Sequence, residues 1–167
     1  LNSDDPASAR LRGLTRVPVL TFGTGPDADI RPSECSSDWK GTRMRVRTPG
    51  GEIRIQSSLR GPFNVSNLLA AAAVGYVMEI PPDAIAQGLA DVRIPGRFES
   101  VDAGQDFAVL VDYAYKPDAL EKVLRAARNL TGGRLISVFG CGGDRDQGKR
   151  PIMGRISSAL EIGRAHV

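Results

Sequence analysis

Asp112 follows the apolar run Phe107–Val111 directly, and Tyr113-Ala114-Tyr115-Lys116 separates it from Pro117-Asp118. A short run rich in β-branched residues predicts a strand buried on both faces, as in a parallel sheet. A carboxylate at the carboxyl end of such a strand lies where α/β proteins bind ligands, in the crevice outside the strand ends. It accepts hydrogen bonds from hydroxyls, while Pro117 opens a helix where its missing N–H costs nothing. The loop Gly140–Pro151, GCGGDRDQGKRP, is a second candidate. Glycines between a strand and a helix let backbone N–H groups approach an anion, and Arg145, Lys149 and Arg150 add cations that grip carboxylates or phosphates. Its spacing fits neither a Walker loop nor G-x-G-x-x-G. A plain turn is the alternative, but three cations and two aspartates within Asp144–Arg150 are many for one. Asn64 and Asn67, three apart, share a face at the amino end of an expected helix. Simple capping is one role for them and ligand recognition the other.

The elements that must position these residues are legible in outline. Leu14–Phe22 is expected to hold a short strand (Val17, Val19, Leu20), and Asp27–Pro32 a weak extended segment. Met44/Val46 alternate with Arg43, Arg45 and Arg47, and Ile53/Ile55 alternate along Glu52–Gln56. With Thr48-Pro49-Gly50-Gly51 between them, these predict a β-hairpin whose arginines form a solvated face. An Ala/Leu-rich helix is expected from Val65 to about Met78, and Pro81-Pro82 opens another over Asp83–Asp91. A linker over Val92–Pro95 and a domain boundary near Asp91 follow from the change in composition. Beyond it, Pro117–Leu130 is an amphipathic helix, with Leu120, Val123, Leu124, Ala127 and Leu130 on one face. Asp118 and Glu121 stand in its first turn and Arg125 and Arg128 near its end, matching the helix dipole. Arg134–Phe139 reads as a second buried strand, making a βαβ unit, and a further helix begins at Pro151.

The 167 residues suffice for one domain or two small ones, and 41% hydrophobic with 25% charged residues is ordinary globular material. A net charge of +3 without a basic cluster gives no reason to expect nucleic acid. Cys35 and Cys141 lack metal-ligand spacing and suit a reducing cytoplasm. No apolar run reaches the ~18 residues of a membrane span. Leu1–Pro6 reads as the tail of a strand running into a loop. Ile162–Val167 (IGRAHV) matches the translation of a common sequencing adapter, so residues 161–167 are expected to be foreign to the fold. The only histidine, His166, falls within that tail.

Asn2-x-Asp4-Asp5, Gly61-x-Phe63-Asn64-x-x-Asn67, Gly96-Arg97-Phe98-Glu99 and Asp112-Tyr113-Ala114-x-x-Pro117-Asp118 occur in this order. Together they resemble the Mur ligase family, the ATP-dependent ligases that build the peptidoglycan stem peptide. The closing loop, GCGGDRDQGKRPIMG, resembles the members that add the third residue, meso-diaminopimelate or L-lysine, to UDP-N-acetylmuramoyl-L-alanyl-D-glutamate. The resemblance implies an α/β fold with two parts. Residues 1–91 would be the end of the central ATPase domain, a small antiparallel β part plus helices. Residues 95–160 would start a Rossmann-like C-terminal domain.

It also implies ATP and Mg2+, a UDP-N-acetylmuramoyl-dipeptide substrate, an acyl phosphate route, and a cytoplasmic monomer without nucleic-acid or membrane partners. Asn64 and Asn67 resemble adenine-side contacts. Arg97 resembles the arginine that reaches the ATP phosphates, Asp112 the carboxylate that takes the ribose hydroxyls, and Arg145 the arginine that meets the incoming amino acid's carboxylate. Arg97 and Asp112 would then face a cleft between domains. Tyr115 stands where the family has histidine; it and Lys116 are nucleotide-side candidates, because tyrosine still stacks or donates. Lys149 and Arg150 are candidate anion contacts. The family's P-loop, its modified lysine for the second magnesium and its Asp-Asn-Pro-Arg selecting motif do not occur in this sequence. No catalytic or metal-binding residue is therefore assigned within it, and the chain alone is expected to be inactive. The alternatives are a folylpolyglutamate synthetase-like ligase and a nucleotide-binding module without chemistry.

Overall fold

Alternating apolar and arginine residues give a sheet with one buried and one solvated face. It contains β1 (Arg31–Asp38), β2 (Gly41–Thr48) and β3 (Gly51–Ser57), antiparallel in the order β1-β2-β3. The computed structural model describes residues 1–143 and 146–160, and the backbone of 164–166. Two units are distinguished, Leu1–Arg93 and Ile94–Val167.

In the first unit the expected hairpin pairs Thr48 with Gly51 and Met44 with Ile55 across Pro49-Gly50. Met44, Val46, Ile53 and Ile55 turn inward, while Arg43, Arg45 and Arg47 are exposed. Two helices close the buried face, α2 (Pro62–Val77) and α3 (Pro82–Ala90), following α1 (Ala7–Leu14) in the chain. Leu68, Leu69, Ala72 and Ile85 pack with Ile30, Val46 and the β3 isoleucines in one cluster. Each buried leucine, isoleucine or valine among them contributes roughly 1.5–3 kcal/mol by leaving water. Buried Thr42 donates to the Leu59 carbonyl at 2.7 Å, so its hydroxyl also finds a partner.

Two expectations fail in this unit. Leu14–Phe22 is not a strand: residues 7–14 are helical, Val17 is exposed, and only Phe22 bridges Asn2 and Ile30. The Val/Leu content suggests extension, but no ladder partner is supplied along residues 15–19, while the Leu20 and Thr21 carbonyls accept from Leu1 and Ile30. The expected weak segment Asp27–Pro32 runs instead into β1, a full strand whose residues, RPSECSSD, are polar. It is a sheet edge with a mostly solvated surface, so it needs no apolar alternation.

The second unit holds β4 (Glu99–Val101), β5 (Val109–Val111), α4 (Pro117–Leu130), β6 (Ser137–Phe139), α5 (Lys149–Leu160) and β7 (Arg164–His166). The amphipathic face of α4 packs Leu120 and Leu124 against Met153 of α5, with Leu135, Phe139 and Ile156 around them. The expectation of a strand buried on both faces is corrected: Val111 is 45% exposed and Phe107 65%. Nor do β5 and β6 pair. β5 lies antiparallel to β4 and β6 parallel to the β7 backbone. A hairpin across the short 102–108 connection closes at less entropic cost than a crossover. No described helix is long and apolar enough to cross a membrane.

Candidate functional site

The loop leading into α2 is tied to the β1–β2 turn. Arg60 Nε donates to the Trp39 carbonyl at 2.7 Å, and Gly61 N–H to Ser37 Oγ at 3.1 Å. Gly61 has a φ of 86°, and α2 starts there with no side-chain cap. Asn64 is therefore not the N-cap. It is 4% exposed, its Nδ2 donates to the Arg60 carbonyl at 2.8 Å, and its Oδ1 accepts from Asn67 Nδ2 at 3.2 Å. Asn64 braces the loop and orients Asn67, whose side chain stands at the exposed edge.

In the second unit, Gly96 and Phe98 both have positive φ, 68° and 49°, with Arg97 between them. The left-handed conformation costs a non-glycine residue about 1–2 kcal/mol, an amount that burial of the Phe98 ring, 2% exposed, offsets. Two carboxylates fasten the turn. Gly96 N–H donates to Glu99 Oε2 at 2.7 Å, and Phe98 N–H donates to Asp112 Oδ2 at 2.8 Å. Asp112 does not cap α4, whose N-cap is Lys116 without a side-chain bond. No other hydrogen bond to the second oxygen of Asp112 occurs among the described residues.

The exposed Arg97 guanidinium lies over the Tyr113 ring, 5.0 Å from its centroid. Tyr113 in turn meets Tyr115 at 5.3 Å between centroids, and Lys116 and Lys149 stand 5.7 and 5.8 Å from the Tyr115 ring. Lys149 Nζ also donates to the Tyr115 carbonyl at 3.2 Å. Arg97, Asp112, Tyr115, Lys116 and Lys149 thus come together, although 34 positions separate Tyr115 from Lys149. Three cations on two aromatic faces make a surface suited to a negatively charged, partly planar ligand.

Arg150 is turned back into its own loop, donating to the Gly143 carbonyl at 2.8 Å. Arg145 lies outside the described residues. Tyr113 and Glu99 were not among the candidates from sequence. Their signal was adjacency to Asp112 and to Gly96-Arg97, which becomes informative only once the turn is folded. No group of three or more carboxylate, histidine or cysteine side chains suited to a metal occurs among the described residues.

An antiparallel sheet under two helices is followed in the chain by a strand-helix unit that carries a carboxylate and clustered cations, an α/β architecture. Residues 1–75 match the Mur ligase middle domain and residues 96–167 the Mur ligase glutamate ligase domain. The chain belongs to the Mur ligase family. It is 46% identical over 159 residues to UDP-N-acetylmuramoyl-L-alanyl-D-glutamate--2,6-diaminopimelate ligase of Solibacter usitatus (strain Ellin6076), covering 95% of this chain and 32% of that protein. To the same-named ligase of Bacillus licheniformis it is 48% identical over 161 residues, with 96% and 33% covered. A solved structure of a ligase of that name superposes with a TM-score of 0.71 at 29% identity, covering 99% of this chain and 35% of that one. Folylpolyglutamate synthetase from Lactobacillus casei shares the fold, with a TM-score of 0.74 at 20% identity over 96% of this chain and 40% of that one. The chain spans about a third of the length of the curated relatives it matches.

Proposed function

We propose that the complete protein is an ATP-dependent acid–amino-acid ligase of peptidoglycan precursor synthesis. It adds meso-diaminopimelate or L-lysine to UDP-N-acetylmuramoyl-L-alanyl-D-glutamate. The carrying observation is 46% identity to a diaminopimelate ligase across 95% of the chain. The substrate's terminal carboxylate takes the γ-phosphoryl group of ATP, releasing ADP. The amine of the incoming amino acid then attacks the acyl phosphate and expels inorganic phosphate, losing a proton as the amide forms. Residues 1–91 are assigned to the end of the central domain and 95–160 to the start of the C-terminal domain, leaving out the tail. The protein works as a cytoplasmic monomer with Mg2+, without nucleic-acid or membrane partners. Alone, the 167 residues are inactive, because the P-loop that cradles the phosphates is not in their sequence.

In this reading Asn67, held by Asn64, contacts the adenine side. Asp112 offers its second carboxylate oxygen to the ribose hydroxyls while the first holds the turn. Arg97 spreads the charge of the phosphates, and Tyr115 and Lys116 flank the nucleotide. Arg145 meets the incoming amino acid's carboxylate, and Lys149 and Arg150 serve as anion contacts. Losing a hydrogen bond to a charged group costs roughly 1.5–3 kcal/mol, about ten- to a hundredfold in affinity. Asp112→Ala in the complete enzyme should raise KM for ATP by that factor and leave KM for the UDP-substrate nearly unchanged. Arg97→Ala should mainly lower kcat, because the phosphate charge it stabilises develops in the transition state. If Asp112→Ala lowers only the melting temperature and keeps KM for ATP, the ribose role is wrong and the bond to Phe98 is its whole function.

A further inference from the structure

We propose that Glu99 is a positioning residue for Arg97, fixing through the backbone of Gly96 the direction in which the guanidinium leaves the turn. The inference rests on the phosphate role given to Arg97 above and adds a residue to which no role has been given. Arg97 has no ion-pair partner among the described residues, and its guanidinium lies over the Tyr113 ring. Its own N–H donates to the Ile94 carbonyl at 3.1 Å. On either side, Gly96 and Phe98 take left-handed φ values that an unbraced turn would readily leave.

The braces are the two charged acceptors, Glu99 on Gly96 N–H and Asp112 on Phe98 N–H, at 2.7 and 2.8 Å. Hydrogen bonds to an ionised carboxylate are about twice as strong as neutral ones, so both ends of the turn are held. Space does not explain Gly96: a Cβ there would meet nothing within 4 Å. What the position requires is its φ and the N–H direction that Glu99 fixes. Glu99 also begins β4 and pairs with Val111, the residue before Asp112. One strand pair thus sets both braces in register with Arg97 between them.

The test uses Glu99→Ala, Glu99→Gln, Arg97→Ala and the double variant Arg97→Ala/Glu99→Ala in the complete enzyme. A guanidinium displaced by about 1 Å loses on the order of a hundredfold in rate, so Glu99→Ala is expected to lower kcat roughly ten- to a hundredfold. KM for the UDP-substrate should stay unchanged. Glu99→Gln keeps a carbonyl acceptor on the same arm and should recover most of kcat. The double variant should be no slower than Arg97→Ala alone, because Glu99 then has nothing left to orient. Glu99→Asp, whose arm is one methylene too short, should fall in the same direction and serves if the alanine variant does not fold. Losses that add in the double variant, or a Glu99→Ala enzyme with full kcat, overturn the inference while leaving the phosphate role of Arg97 intact. Full kcat in Arg97→Ala overturns that role, and the inference with it.

Discussion

The two units bury their apolar residues very differently. In Leu1–Arg93 one cluster runs from Ile30 through β2 and β3 into α2 and α3. Among the described residues of Ile94–Val167 one small cluster holds Leu120, Leu124 and Met153 with a partly buried rim, while Phe107, Val111, Ile136 and Val138 are exposed. The candidate residues follow the same contrast. Asn64 is locked into the first core, whereas Arg97, Tyr113, Tyr115 and Lys116 stand on the surface of the second unit, held by a few polar bonds. Hydrogen bonds made in a buried setting set the asparagine pair, while the cationic surface stands in solvent on a hydrogen-bonded turn.

The largest expected effect is therefore in the first core. Leu69→Ala should destabilise its unit by about 3–5 kcal/mol, and Leu124→Ala the second unit by only about 2–3 kcal/mol, since a cavity beside a partly solvated rim collapses more easily. Hydrogen exchange read by segment during urea unfolding separates the two. Equal losses would remove the contrast.

Glycines sharpen it. A Cβ on Gly75 of α2 would meet Ile85 Cδ1 and Cγ1 at 2.8 Å, whereas one on Gly154 of α5 would meet nothing within 4 Å. Gly75→Ala should cost about 1–2 kcal/mol, overpacking outweighing the better helix propensity. Gly154→Ala should instead stabilise by roughly 0.5–1 kcal/mol. Melting curves with the same sign for both would contradict the difference in packing.

The smallest effect concerns pH. Hydrogen bonds from the Thr21 hydroxyl and the Thr21 N–H, with Arg12 and Arg31 nearby, hold the Asp29 carboxyl below its ordinary value. A lowered folded-state pKa contributes stability that is present above the unfolded value, about 3.9, and is lost as pH falls through the folded one. Asp29 is exposed, so less than about 1 kcal/mol is at stake. Thr21→Val should flatten the acid limb of the first unit's stability below about pH 4, with no change in the second. An unchanged acid limb would show that this pair contributes nothing.

Local patterns sufficed where a residue's neighbours in sequence are also its neighbours in space. The hairpin follows from Met44/Val46 and Ile53/Ile55 around Pro49-Gly50, and α4 from Pro117 and its leucine spacing. The candidate residues were legible by type and motif: Asp112 after a strand, Arg97 after Gly96, the asparagines three apart. The polar strand β1 was not, because an edge strand with a solvated surface carries no alternation. The burial of β5 was misread, since an apolar run states what a strand tolerates and only its neighbours decide what covers it. The links that give the candidate site its shape, Asp112 to Phe98 and Lys149 to Tyr115, span 14 and 34 positions. Contacts at such separations leave no periodic trace in sequence. They depend on where the fold brings two backbone segments together, and only the tertiary structure decided that.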